Sequence, residues 1–144
     1  MRVLIVNPFA SGVDERRLAA VQAALPSGTE TVLTQAQGDA TELAREWSPR
    51  AEAIYVFSGD GTYNEVINGI TGDVALGFVP GGGTSVLSRA LGLPRDPVRA
   101  AQLIASGRPR TAAIVSFSDR WLRARSINMR SISSTADGPS SRHA

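Results

Sequence analysis

Ala53-Ile-Tyr-Val-Phe57 runs without a linker into Ser58-Gly-Asp-Gly-Thr62, and a helical pattern follows at once. The first five residues are apolar, β-branched or aromatic, as in a buried strand. Beyond Thr62, residues Tyr63, Val66, Ile67 and Ile70 fall at i, i+3, i+4 and i+7, which is one face of a helix. Gly69 and Gly72 mark its end. A strand that turns through glycines straight into a helix is half of a parallel βαβ unit.

The same alternation extends in both directions. Arg2 to Asn7 reads as a buried strand ending at Pro8, and Val13 to Leu25 as a helix closed by Pro26-Ser27-Gly28. Thr29 to Thr34 reads as a second strand. Asp39-Ala-Thr-Glu42 has the spacing of a capping box and opens a helix to Trp47. Downstream, Val74 to Val79 reads as a strand, Pro80-Gly-Gly-Gly-Thr84 as a glycine-rich loop, and Val86 to Leu91 as a short helix. Asp96-Pro97 is an N-cap with proline at the first helical position of a helix reaching Ser106-Gly107. Thr111 to Phe117 reads as a fifth strand. The expected fold is a three-layer α/β/α sandwich on a mainly parallel sheet.

Composition narrows the chemistry. The chain has 144 residues, enough for one domain, and 42% are hydrophobic, enough for one core. Cysteine is absent, which removes disulfides, thiol nucleophiles and thiolate metal sites. The single histidine, His143, argues against a serine–histidine–acid triad or a histidine metal centre. All 15 basic residues are arginine, so a P-loop lysine and Schiff-base chemistry are absent. Residues 119–144 hold five arginines against two aspartates, whereas 1–118 hold ten arginines against eleven acids. The positive charge belongs to the C-terminal stretch, and the body presents no basic footprint for nucleic acid. No signal segment or membrane span is visible, so the expected location is cytoplasmic, with peripheral contact at a membrane surface as an addition.

Ligands of open parallel sheets bind beyond the carboxyl ends of the strands. Four polar or glycine-rich segments fall there: Asn7 to Gly12, Thr34 to Gly38, Ser58 to Thr62 and Pro80 to Thr84. Gly59 and Gly61 permit a tight turn and close approach, and the helix opened at Thr62 offers amides and a positive dipole end to phosphate oxygens. Asp60 repels phosphate; its useful role is to hold Mg²⁺ there, through water. The competing reading is an ordinary turn with Thr62 or Asp60 as cap. Gly82, Gly83 and Thr84 form a second anion-binding concavity. Asn64 lies in the first helical turn, off the apolar stripe, where it can face a ligand, while Glu65 serves only to complement the dipole.

These stretches resemble the catalytic domain of the diacylglycerol kinase and sphingosine kinase group, nearest to the bacterial lipid kinases. The likeness rests on Asn7-Pro8 with Ser11-Gly12, Thr34 with Gly38 to Ala44, Ser58 to Gly69, and Pro80 to Pro94 with Asp96-Pro97, in the family's order over about 3–117. It implies ATP and Mg²⁺ as cofactors, with Ser58, Gly59, Asp60, Gly61, Thr62 and Asn64 at the ATP phosphates. Thr34 and Thr84 line the nucleotide site, joined by Asn7, Gly82 and Gly83. It further implies γ-phosphoryl transfer to a lipid hydroxyl such as that of diacylglycerol. Ser85 stands where asparagine is usual, and Leu87-Ser88 replace a common aromatic–alanine pair.

The family places its general base and much of its lipid pocket in a second, mostly β domain. Residues 119–144 show no family pattern and read as a divergent Ser/Arg-rich tail, truncated or disordered. The expectation is therefore a domain over 1–118 that binds nucleotide with little turnover, with self-association through an uncovered face. Two rivals are a soluble kinase acting on NAD, which shares a Gly-Asp-Gly motif, and a vestigial interaction domain without nucleotide.

Overall fold

The computed structural model describes residues 1–83 and 86–107, together with the strand backbones at 109–118 and 121–130. The strands are β1 (Arg2–Val6), β2 (Glu30–Leu33), β3 (Ala53–Ser58), β4 (Ala75–Pro80), β5 (Pro109–Ser118) and β6 (Trp121–Arg130). The helices are α1 (Glu15–Ala24), α2 (Asp39–Trp47), α3 (Asp60–Gly69), α4 (Val86–Ala90) and α5 (Pro97–Ser106). One sheet carries them in the order β2-β1-β3-β4-β6-β5. Neighbours from β2 through β4 to β6 pair in parallel, and only β5 runs antiparallel, against β6.

Burial on both faces explains the unbroken apolar runs. Every residue of β3 and β4 is buried. Successive residues feed opposite layers. Val3, Ile5, Ile54, Val56, Leu76 and Phe78 pack under α2 and α3, with Tyr63 stacked on Phe78 at 4.5 Å. Leu4, Val6, Tyr55, Phe57 and Val79 pack on the other face, under Val21 of α1 and Ala100, Ala101 and Ile104 of α5. The three-layer sandwich is as expected. Among the described residues no helix is long and apolar enough to cross a membrane.

Helix starts are only partly as read. Asp14 caps α1 by accepting from the Arg17 amide at 2.7 Å, and Asp96 caps α5 by accepting from Val98 at 3.2 Å, with Pro97 behind it. The capping box at Asp39 does not form. The cap of α2 is Gly38, held at φ 92°, a left-handed conformation open to glycine at little cost. Asp39 faces backward instead and accepts from the amides of Gln35 and Ala36 at 2.7 and 2.9 Å. Helix α3 begins at Asp60 with Gly59 as cap, not at Thr62, and no side chain caps it. Thr62 is therefore a third helical residue, and Asn64 lies in the second turn.

The larger difference is at the far edge. The tail reading puts no element across 119–144, yet β6 occupies Trp121–Arg130, between β4 and β5. It joins the parallel sheet through Ala75↔Asn128 and Leu76↔Met129, then pairs with β5 along ten residues. The fifth strand therefore reaches the sheet only through a sixth. Its arginines and serines hid the strand, because β-propensity reflects packing more than composition. Residues 131–144, with His143, lie outside the described part, as do Thr84 and Ser85.

Candidate nucleotide site

The chain leaves β1 toward β2 on one side and returns to β3 on the other. Doubly wound sheets hold ligands at such a reversal, beyond the strand ends. Asn7 follows β1 and Gly59 follows β3, and the two ends are joined by the Asn7 amide donating to the Phe57 carbonyl at 3.3 Å. A cavity of about 350 Å³ opens here, lined by Asn7, Phe9, Thr34, Ala36, Gln37, Gly61, Thr62 and Glu65. Four expected site residues, Asn7, Thr34, Gly61 and Thr62, thus share one wall. The first turn of α3 borders the cavity, and its leading amides have no helical acceptor of their own.

The loops around the cavity are tied by backbone bonds. Gly12 donates to the Gly81 carbonyl, and Gly81 donates to the Ser58 carbonyl, both at 2.8 Å. The β3 and β4 loops touch at Gly59 and Gly82: a Cβ on Gly82 would lie 2.8 Å from the Gly59 Cα. Only hydrogen fits between these backbones.

Asp60 takes the place of a loop clamp. Its Oδ2 accepts from the Val86 amide at 2.8 Å and its Oδ1 from the Leu87 amide at 3.1 Å. The carboxylate thereby satisfies the start of α4, 26 residues on, and closes the glycine-rich loop against α3.

Other expected residues are placed differently. Ser58 is buried and its hydroxyl donates to Thr62 Oγ1 at 2.8 Å, so this pair braces the turn from within. Asn64 lines neither described cleft beside the strand ends. Gly82 and Gly83 line a second, smaller cleft of about 180 Å³ with Pro80, Ser88, Leu93 and two exposed arginines, Arg89 and Arg95. The expected constellation is thus split across adjoining clefts, with the Gly59–Gly82 contact between their loops.

Four residues gain importance that sequence reasoning did not give them. Glu65 does more than complement the dipole: it lines the larger cavity, and its Oε1 accepts from the Gly38 amide at 2.6 Å. That bond ties α3 to the β2 loop. Phe9 stands 79% exposed on the cavity wall. Arg89 and Arg95 supply the positive charge of the smaller cleft. A place off the apolar stripe signalled Glu65; nothing local signalled the others, which share their clefts with residues from distant segments.

Beneath the site, Tyr63 is buried, and its hydroxyl donates to the Val79 carbonyl and lies 3.4 Å from Ser88 Oγ. Burial pushes its pKa upward; the Ser88 bond opposes this, and the nearby Asp60 charge adds to it. The phenol stays neutral and anchors α3 to β4.

The model for the diacylglycerol kinase catalytic domain matches residues 2–117. A diacylglycerol kinase of Bacillus subtilis (strain 168) is 40% identical over 84 residues, which are 55% of this chain and 28% of that protein. One from Staphylococcus saprophyticus is 36% identical over 97 residues, 65% of this chain and 32% of that protein. The crystal structure of a diacylglycerol kinase from Bacillus anthracis str. Sterne superposes with a TM-score of 0.70 at 34% identity, covering 78% of this chain and 41% of that one. The chain spans about a third of the length of these two curated relatives. A doubly wound sheet, a glycine-straddled aspartate at its switch point and a matched stretch covering most of the sequence agree: this chain belongs to the diacylglycerol kinase catalytic domain family.

Proposed function

We propose that this chain is the nucleotide-binding part of a lipid kinase, which passes the γ-phosphoryl of ATP to a lipid hydroxyl such as that of diacylglycerol. The observation that carries the reading is the cavity at the switch point, where Asn7, Thr34 and the first turn of α3 meet in a member of this family. Phosphoryl transfer asks little covalent chemistry of a protein and much positioning and charge neutralisation. Amides of Gly61 and Thr62 and the exposed Gly83 backbone suit phosphate oxygens. Asn7 and Thr34 offer polar groups further along the wall.

Magnesium fits in one way. Among the described residues no three His, Cys, Asp or Glu come together, so these residues form no cage of their own. Asp60 keeps the carboxylate lone pairs that Val86 and Leu87 leave unused. One carboxylate with phosphate oxygens and water is an ordinary magnesium shell. Asp60 would hold the ion, which when bound neutralises phosphate charge. Glu65, the other carboxylate on the cavity wall, is tied through Oε1 to the Gly38 amide as a loop brace, and this chain alone is expected to bind nucleotide and turn over little.

The test is calorimetric titration of ATP–Mg²⁺ into the chain and its Gly61→Val variant. A Cβ at Gly61 meets nothing within 4 Å, and a thermal melt of the variant checks that it folds. Wild type binds and G61V does not; equal affinity in the two removes the phosphate site from α3. In a full-length relative, labelled phosphate passes from ATP to diacylglycerol. Transfer to NAD and not to lipid moves the assignment to the soluble rival, and no nucleotide binding at all leaves an interaction domain.

A further inference from the structure

Phe9 is a large apolar side chain, 79% exposed, on the wall of a cavity whose other members are mostly polar. It is not on a slack segment. The Asn7 carboxamide Oδ1 accepts from the Phe9 amide at 3.0 Å, and the loop ends where Gly12 donates to Gly81 at 2.8 Å. An aromatic ring on a tied backbone at a cavity wall, without a packing partner commensurate with its area, is a surface suited to an apolar flat group. The same cavity is bordered by the α3 amides at Gly61 and Thr62, which suit an anion. A ligand that satisfies both walls has an aromatic face at one end and phosphates at the other. The volume, about 350 Å³, is that of a small-molecule site.

We propose that Phe9 is the base-stacking residue of this site, so that nucleotide is held by a π-face at Phe9 and by phosphates at α3. The inference rests on the nucleotide reading above and adds to it the specificity it implies. Stacking accepts the face of any base and does not read its edge. Phe9 therefore contributes to every purine nucleotide alike and gives nothing to a bare polyphosphate.

Titration of ATP, GTP and inorganic tripolyphosphate, each with Mg²⁺, into wild type, F9A and F9W tests this. Phe9 is exposed, so F9A retains the wild-type melting temperature. In F9A, ATP and GTP both weaken about tenfold, the scale of one lost stacking contact. Tripolyphosphate stays within about twofold of wild type, well below that stacking scale, and F9W restores ATP binding. Unchanged ATP affinity in F9A overturns the stacking role and leaves the nucleotide site standing. Equal weakening of ATP and tripolyphosphate also overturns it, since Phe9 then acts on the loop. A wild-type chain that binds neither ligand overturns the nucleotide reading, and stacking with it.

Discussion

Asp60 spends both carboxylate oxygens on amides of another helix, and this governs what its mutation should do. Removing a charged acceptor from two helix-start amides costs about 2 kcal/mol. D60A is therefore expected to lower the melting temperature as well as nucleotide affinity. D60N keeps one acceptor oxygen and recovers part of the stability, while the dependence of ATP binding on Mg²⁺ is lost. Thermal melts and titrations with and without the ion read the two effects apart; a D60A chain as stable as wild type would remove the clamp.

Tyr63 makes a prediction in pH. Its pKa is raised in the fold, so above about pH 10, where an unfolded tyrosine ionises, the native state holds a proton that the unfolded state has lost. Stability is fully present below that pH. It falls by about 1.4 kcal/mol per unit as pH rises toward the raised native value. Urea unfolding at pH 9 and pH 11 should show a smaller difference in Y63F, which starts lower at pH 9 by about 1 kcal/mol for the lost bond to Val79.

At the scale of elements, α2 and α3 pack with almost no space between them. A Cβ on Gly69, the last residue of α3, would lie 2.1 Å from the Thr41 carbonyl oxygen, which belongs to backbone and cannot swing aside. G69A is expected to cost about 3 kcal/mol, at the upper end for overpacking. Gly61, a helical residue two places into the same helix, has open space around it. G61A should stabilise the fold by about 0.5 kcal/mol through helix propensity, and weaken ATP through the methyl group it sets beside the phosphates. Chemical denaturation of the two variants separates a glycine kept for packing from one kept for a ligand. The sequence marks Gly61 as a turn glycine and Gly69 as a helix end, but the close packing that requires Gly69 depends on what stands opposite it.

For the whole molecule, the strand order gives β6 a larger role than its composition suggests. Among the described strands it is the one sheet neighbour of β5 and the outer neighbour of β4. A chain cut after residue 118 loses β6, bares the β4 edge and leaves β5 without its ladder. Unpaired strand edges recruit other chains. The truncated protein is expected to elute as oligomers in size-exclusion chromatography and to melt below the full 144-residue chain; a monomeric 1–118 of unchanged stability would return the boundary to residue 118.

Local pattern carried the sheet's inner strands and most helices. A strand buried on both faces must be apolar throughout, as Ala53–Phe57 is, and an amphipathic helix must repeat near 3.6 residues, as Tyr63 to Ile70 does. The glycines around Asp60 are legible for the same reason: backbone demands are written in residue type. Tertiary structure alone decided the rest. It turned Asp60 toward Val86 and Leu87, drew Glu65 to Gly38 in place of a local dipole, set Phe9 on a cavity wall and slid β6 between β4 and β5. Each of these depends on what a distant segment presents to the residue, and periodicity within a short window carries no record of that.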